Sequence, residues 1–203
     1  MDGAQPTRER IIHAAEELLF KQGFSGTSLA DIMNATELTK AAFFHHFKNK
    51  HELAHTVLER WADNDDALVK EFADRAHELA DSPLQETLLF IKLFEEWLGK
   101  LDEPSKGCLF ASFTYESEQF DEQMHTYVRD RLRIWMGLYA GMFDRVAATD
   151  EAQAAGVSGL QLTEMLATLF EGGLLLGRAL DDRLWLIRQL QQFRHYLQLV
   201  SAR

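Results

Sequence analysis

Lys40, Ala41 and Ala42, preceded by Thr39 and followed by Phe44, His45 and Lys48, are the residues whose types and spacing best fit a chemical task. That task is recognition rather than catalysis. A lysine at the start of a short helix can donate to guanine acceptors in a major groove or to a phosphate. Two small side chains after it let the helix sit deep, with a methyl available to a thymine methyl. Thr27, Ser28 and Thr39 offer hydroxyls at helix starts, where free backbone amides also favour phosphate. Lys50 opens the following helix, and Arg8 and Arg10 add basic points near the N-terminus. His46 is equally compatible with surface and packing roles. With so few base-reading groups, part of any sequence preference is expected to come from DNA shape.

Other chemistries find little support. The eight histidines are scattered without zinc-type spacing, so no metal ligand set is expected. There is no nucleophile–base constellation, phosphate-cradling glycine loop or dinucleotide fingerprint, so neither catalytic residues nor a cofactor are expected. Cys108 is the single cysteine, which rules out an intrachain disulfide and fits a reducing compartment. It follows Lys106-Gly107 at an expected helix start, and both features favour a thiolate. Cys108 is therefore a candidate redox switch, weighed against the preferred reading of a small buried hydrophobe.

The elements that must position Lys40 are written nearby. An amphipathic helix is expected over residues 7–22, with Ile11, Ile12, Ala15, Leu18 and Leu19 inward and Gly23 as its stop. Ser28 and Thr39 are expected caps of the next two helices. The first carries Leu29, Ile32 and Met33 on one face, and the second turns Phe43 and Phe47 inward. Thr36-Glu37-Leu38 is the break between them. This is a helix-turn-helix, whose second helix enters a major groove. Asn49 with Glu52 starts a long fourth helix, and Ser82-Pro83-Leu84-Gln85 is a strong start for a fifth. Four more helices are expected, near residues 108–116, 118–148, 158–180 and 182–200, with an acidic, alanine-rich connector over 149–157. Residues 99–107 are expected to turn. The result is an all-α chain of about nine helices. It comprises a helix-turn-helix DNA-binding domain over 1–52 and a ligand-binding and dimerisation domain over 53–203.

Charge divides along the same line. Residues 1–50 hold six basic and six acidic groups, so the whole net charge of −11 lies in the remainder. A neutral segment with local basic points on an acidic remainder would direct the former toward phosphate. No apolar run is long enough to cross a bilayer, and no signal-type N-terminus is present, so a cytoplasmic protein is expected. The eighth expected helix is apolar over more than half its circumference. Gly172, Gly173 and Gly177 would let another helix approach it closely. With the ninth helix it is expected to form a homodimer surface, because helix-turn-helix proteins read paired half-sites through a twofold. The aromatic surplus among helices five to eight suits an apolar or aromatic ligand. Phe94, Trp97, Phe113, Tyr127, Trp135 and Phe170 are the candidate lining, and Glu116, His125, Glu171 and Arg178 the candidate polar anchors.

The segments RERIIHAAEELLFKQGF, TSLADIM and LTKAAFFHHFKNKHEL resemble the TetR family of transcriptional regulators over about residues 7–55. Beyond that the resemblance rests on helix layout. It implies a homodimeric repressor that releases a palindromic operator when a small molecule binds in the C-terminal domain. Switching through Cys108 is the alternative trigger on the same scaffold. Two positions depart from the family pattern. Glu37 stands where glycine is usual, which is tolerable if its backbone stays right-handed, and it brings a negative charge near the DNA. Phe44 replaces a tyrosine and loses a hydroxyl that would bond phosphate.

Overall fold

A computed structural model of the chain describes residues 6–102 and 106–202. Among these residues it is all-α, with ten α-helices, one 3-10 turn and no strand. The helices are α1 Thr7–Gly26, α2 Leu29–Thr36, α3 Lys40–His46, α4 Lys50–Leu79, α5 Pro83–Gly99, α6 Leu109–Tyr115, α7 Glu122–Ala147, α8 Asp150–Ala154, α9 Gly159–Ala179 and α10 Trp185–Val200. None is long and apolar enough to cross a membrane. Part of the turn expected over residues 99–107, namely 103–105, lies outside the described residues.

The tenth helix comes from the segment read as a connector. Thr149 caps it by accepting from the Ala152 amide, and Asp150 and Glu151 oppose the helix dipole in its first turn. The same signals that start a long helix thus suffice for five residues. α7 begins later than expected. Ser117–Gln119 forms a 3-10 turn, and Phe120 then takes an extended backbone and is buried. Asp121 restarts the chain by accepting from the Met124 amide at 3.0 Å.

The contacts define two compact units. The first holds the chain up to Asn64 together with Cys108–Arg131, and the second holds Asp65–Gly107 with residues 132–202. The first unit therefore gathers more chain than residues 1–52. Its core includes Ile11, Ile12, Ile32, Phe43, Phe47, Leu53, Leu58, Leu109 and Phe113. At its corner Gly23 takes φ 73°, which an L side chain adopts only at a cost, and the helical trace kinks there as the sequence signals. The second unit packs Val69, Phe72, Phe90, Ile91, Phe94, Tyr139, Phe143, Leu166, Phe170, Leu190 and Phe193 in one cluster.

The glycines of α9 have an intramolecular use. A Cβ on Gly173 would stand 2.6 Å from the Leu186 side chain and 3.3 Å from its Cα. One on Gly177 would stand 3.2 Å from the Asp182 carbonyl. These two residues let α9 and α10 of the same chain close on each other. Only Gly172, where a Cβ meets nothing within 4 Å, is left open.

Candidate nucleic-acid interface and candidate effector site

α2 and α3 are built by local capping. Ser28 accepts from the Asp31 amide at 3.1 Å, and the Asp31 carboxylate accepts from the Ser28 amide at 2.8 Å and its hydroxyl at 2.6 Å. Those bonds hold the Asp31 carboxyl below its ordinary range. Thr39 caps α3 by accepting from the Ala42 amide at 3.2 Å. α3 turns Phe43 inward at 0% exposure, with Phe47 just beyond its end at 2%. Its other side is free: Lys40, Ala41, Phe44 and His45 are exposed, Ala42 and His46 are half-buried, and Lys48 is exposed beyond the helix. The Lys40 ammonium lies 5.9 Å from the Phe44 ring centre, and the His45 and His46 rings meet edge to face at 5.0 Å. The outward row of the sequence reading is thus present on one short helix.

Three expectations at this surface change. Thr27 is fully buried, and its hydroxyl donates to the Gly23 carbonyl at 2.7 Å, so its side chain serves the corner rather than a phosphate. Lys50 also turns inward. Its ammonium donates to the Phe24 carbonyl at 2.8 Å and the Thr27 carbonyl at 2.9 Å, and lies 3.9 Å from the centre of the Phe24 ring. Burial lowers its pKa, and the Glu116 charge opposes that fall. Glu37 is left-handed, with φ 54° and ψ 36°, because α2 ends in a tight cap where the Glu37 amide donates to Asn34 and Met33 carbonyls. The right-handed backbone that would make a glutamate easy to tolerate at this turn is therefore not the one adopted. Arg10 is likewise engaged, donating to the Thr36 carbonyl at 2.6 Å, while Arg8 lies over the Phe47 ring at 5.1 Å.

Glu116 is the residue that sequence reasoning placed wrongly in this unit. Taken as a ligand anchor, it instead accepts from the Phe24 amide at 2.8 Å and the Ser25 amide at 2.7 Å. Burial works against its ionisation, but the bonds from Ser25 and Phe24 and the Lys50 charge together bring its pKa down. Glu116 and Lys50 thus fasten the end of α1 beyond the kink at Gly23. Nothing in the local sequence signals a pairing across 92 residues.

The six candidate lining residues separate. Phe113 stacks on Phe120 at 4.7 Å, and Tyr127 packs on His55 at 4.7 Å, both in the first unit. In the second unit Phe170 meets Phe94 at 5.0 Å and Trp135 at 5.8 Å, while Trp97 is exposed. Trp135 also meets Tyr139 at 5.1 Å, and Phe94 meets Phe72 at 4.8 Å and Phe90 at 5.2 Å. Phe72, Phe90 and Tyr139 therefore extend the cluster beyond the expected set. Of the expected anchors, His125 contacts the Ser117 carbonyl at 2.8 Å, and Arg178 donates to the Lys106 carbonyl at 2.7 Å. Among the described residues no group of three side chains is arranged to hold a metal ion. Cys108 is buried, immediately before α6.

Asp65 stands beside the aromatic cluster. Burial first, and then the Asp66 and Glu171 charges, raise its carboxyl from 3.8 to about 6, against a smaller opposing effect of the Trp135 indole. Its position was legible. Residues 58, 62, 65, 69, 72 and 76 form the inward row of α4, and Asp65 is the one polar member.

These features define an all-helical protein with a capped helix-turn-helix presenting a basic, small-residue face. Residues 11–57 match the family model described as bacterial regulatory proteins, tetR family. Over 67 residues the chain is 40% identical to the HTH-type transcriptional regulator TtgR of Pseudomonas putida, covering 33% of this chain and 32% of that protein. The alignment thus spans about a third of the first curated relatives. An uncharacterized HTH-type regulator of Bacillus subtilis, YxaF, is 25% identical over 179 residues, 87% of each chain. Among solved structures, a TetR-family regulator from Agrobacterium tumefaciens superposes with a TM-score of 0.75 at 18% identity, over 96% of this chain and 98% of that one. The reduced form of Escherichia coli NemR superposes with a TM-score of 0.71 at 19% identity, over 94% and 96%. Residues 11–57 thus carry the signature of the TetR family of bacterial regulatory proteins, and a solved TetR-family regulator shares the fold over 96% of the chain.

Proposed function

We propose that this chain is a sequence-specific DNA-binding transcriptional repressor that occupies a palindromic operator as a homodimer and is released by a small molecule. The observation that carries the reading is the outward face of α3, where Lys40, Ala41, Phe44 and His45 are exposed while Phe43 anchors the helix from behind. A helix held in this way can lie in a major groove with Lys40 leading. Ser28, Thr39 and Lys48 are placed for phosphate contacts, and Thr27 and Lys50 act behind them as positioning residues. The negative Glu37 beside this face weakens attraction to DNA.

The homodimer is supported by an apolar surface on α9 and just before α10. Leu175, Leu176, Leu180 and Leu184 are each more than 40% exposed there. Release by a small molecule is supported by the aromatic cluster of Phe94, Trp135 and Phe170 in the second unit. The burial of Cys108 favours this trigger over a thiol switch. The relatives named above are regulators rather than enzymes.

Fluorescence anisotropy with fragments upstream of the chain's own gene tests the reading. A specific complex that survives competitor DNA at physiological salt is expected, and Lys40→Ala should weaken it about tenfold or more, equivalent to about 1–3 kcal/mol. Equal affinity of the variant, in a properly folded dimer, would remove α3 from the interface.

A further inference from the structure

α3 exposes an aromatic ring that its own core does not use. Phe44 is 42% exposed, while Phe43 before it is fully buried and Phe47 beyond it nearly so. The Phe43 and Phe47 ring centres lie 6.1 Å apart and occupy the inward side. Phe44 meets Phe43 edge to face, at 5.4 Å and 86°, so its ring is steadied from behind while it faces outward. Among the described residues of the first unit, Phe44 and Tyr115 are the large hydrophobic side chains left exposed. Of the two, Phe44 has no group that can form a hydrogen bond.

The neighbours of Phe44 decide what this ring can meet. Ala41 lies three residues before it and Lys40 four, so the three exposed side chains share one face of the helix. The Lys40 ammonium stands 5.9 Å from the Phe44 ring centre, which sets a cation beside an apolar patch. Base edges in the major groove are donors and acceptors, with one apolar exception, the C5-methyl of thymine. A phenyl ring neither donates nor accepts. Guanine, adenine and cytosine edges and phosphate oxygens therefore give it no partner, whereas the methyl group does. Four residues of helix advance about 6 Å, or about two base-pair steps of about 3.4 Å each.

We propose that Phe44 is a specificity-determining residue that reads a thymine methyl group, with Ala41 completing the apolar contact, about two base pairs from the base that Lys40 meets. The inference rests on reading α3 as the DNA-contacting helix and adds the identity of one base pair in each half-site. Because the methyl group is what is recognised, 5-methylcytosine is accepted at the same position and unmodified cytosine is not.

Deoxyuridine lacks only the methyl group of thymidine, so it isolates the contact. Each thymine of a specifically bound upstream fragment is replaced by uracil in turn, and affinity is measured by fluorescence anisotropy with the full chain. The wild type should lose about fourfold at one thymine in each half-site, the worth of one methyl group removed from water. Cytosine at that position should bind as weakly as uracil or more so, and 5-methylcytosine should recover part of the loss. Phe44→Ala, checked for folding by circular dichroism, should bind the thymine and uracil fragments equally. Phe44→Gln should do the same, and stands in if Phe44→Ala does not fold. A wild-type complex indifferent to every uracil would overturn the proposal. So would the same sensitivity in folded Phe44→Ala, which would transfer the contact to Ala41 or Ala42. Both results leave the regulator reading intact, whereas absence of any specific complex with the wild type would sink that reading and this inference together.

Discussion

The first unit caps its reading helices locally and answers the charges of Lys50 and Glu116 with backbone partners, whereas the second leaves polar groups in its interior unmatched. In the first unit, Ser28 and Thr39 cap helices three residues away, and Lys50 and Glu116 have their charges answered. In the second unit, α9 and α10 meet through Gly173 and Leu186, and the Trp135 Nε1 and the Tyr139 hydroxyl are buried with no hydrogen bond of normal geometry among the described residues. A DNA-reading surface benefits from being fixed before its partner arrives.

The contrast can be broken at its strongest point by filling the α9–α10 contact. Gly173→Val should cost about 3 kcal/mol or more, because the new side chain meets both the side chain and Cα of Leu186. Gly172→Ala, which meets nothing, should cost little and serves as the control. Thermal or urea unfolding of the two variants measures the difference. Equal changes in the two variants would mean that the close approach of Gly173 to Leu186 does not limit α9, since helix propensity alone would make both replacements neutral or stabilising.

Asp65→Asn sharpens the same contrast with the opposite sign. The folded chain holds the Asp65 proton more tightly than the unfolded one does. Ionisation therefore lowers stability progressively as pH rises from about 4 to about 6, and by a constant amount above that. The rise to about 6 corresponds to at most about 3 kcal/mol. The variant should be more stable than the wild type at pH 7.5 and indistinguishable from it near pH 4. Denaturant titrations at the two pH values would reveal a uniform offset instead if burial of the carboxylate is unimportant.

Smaller effects belong to the first unit. Thr39→Ala removes the cap of α3 and should cost about 1 kcal/mol, together with some affinity for DNA. Glu37→Gly relieves a left-handed backbone worth about 1–2 kcal/mol but adds chain entropy, so its net gain should be within about 1 kcal/mol. By removing a negative charge it should also tighten DNA binding, most visibly at low salt. A looser complex would show that Glu37 orders the turn in a way glycine does not.

What was legible in the chain follows the same division. The helix-turn-helix could be read because caps and apolar spacing are local: Ser28, Thr39, Gly23, Phe43 and Phe47 all occupy the roles their positions announce. Thr27 and Lys50 have the right composition for phosphate contact. Their partners, however, are backbone carbonyls exposed by the kink at Gly23, which no spacing rule foretells. Glu116 was misassigned because its partners lie 91 and 92 residues away. The aromatic set was divided because Phe113 and Tyr127 belong to segments that fold with the first unit, while Phe94, Trp135 and Phe170 fold with the second. The α9 glycines suggested a partner helix, and the helix they admit is the chain's own α10.

Whether α3 reads DNA can be measured by genome-wide protection with the purified wild-type and Lys40→Ala proteins at physiological salt. A small number of palindromic sites should be protected by the wild type and largely lost in the variant, with one beside the chain's own or a neighbouring gene. Protection without sequence enrichment, or the same sites held equally well by Lys40→Ala, would contradict it.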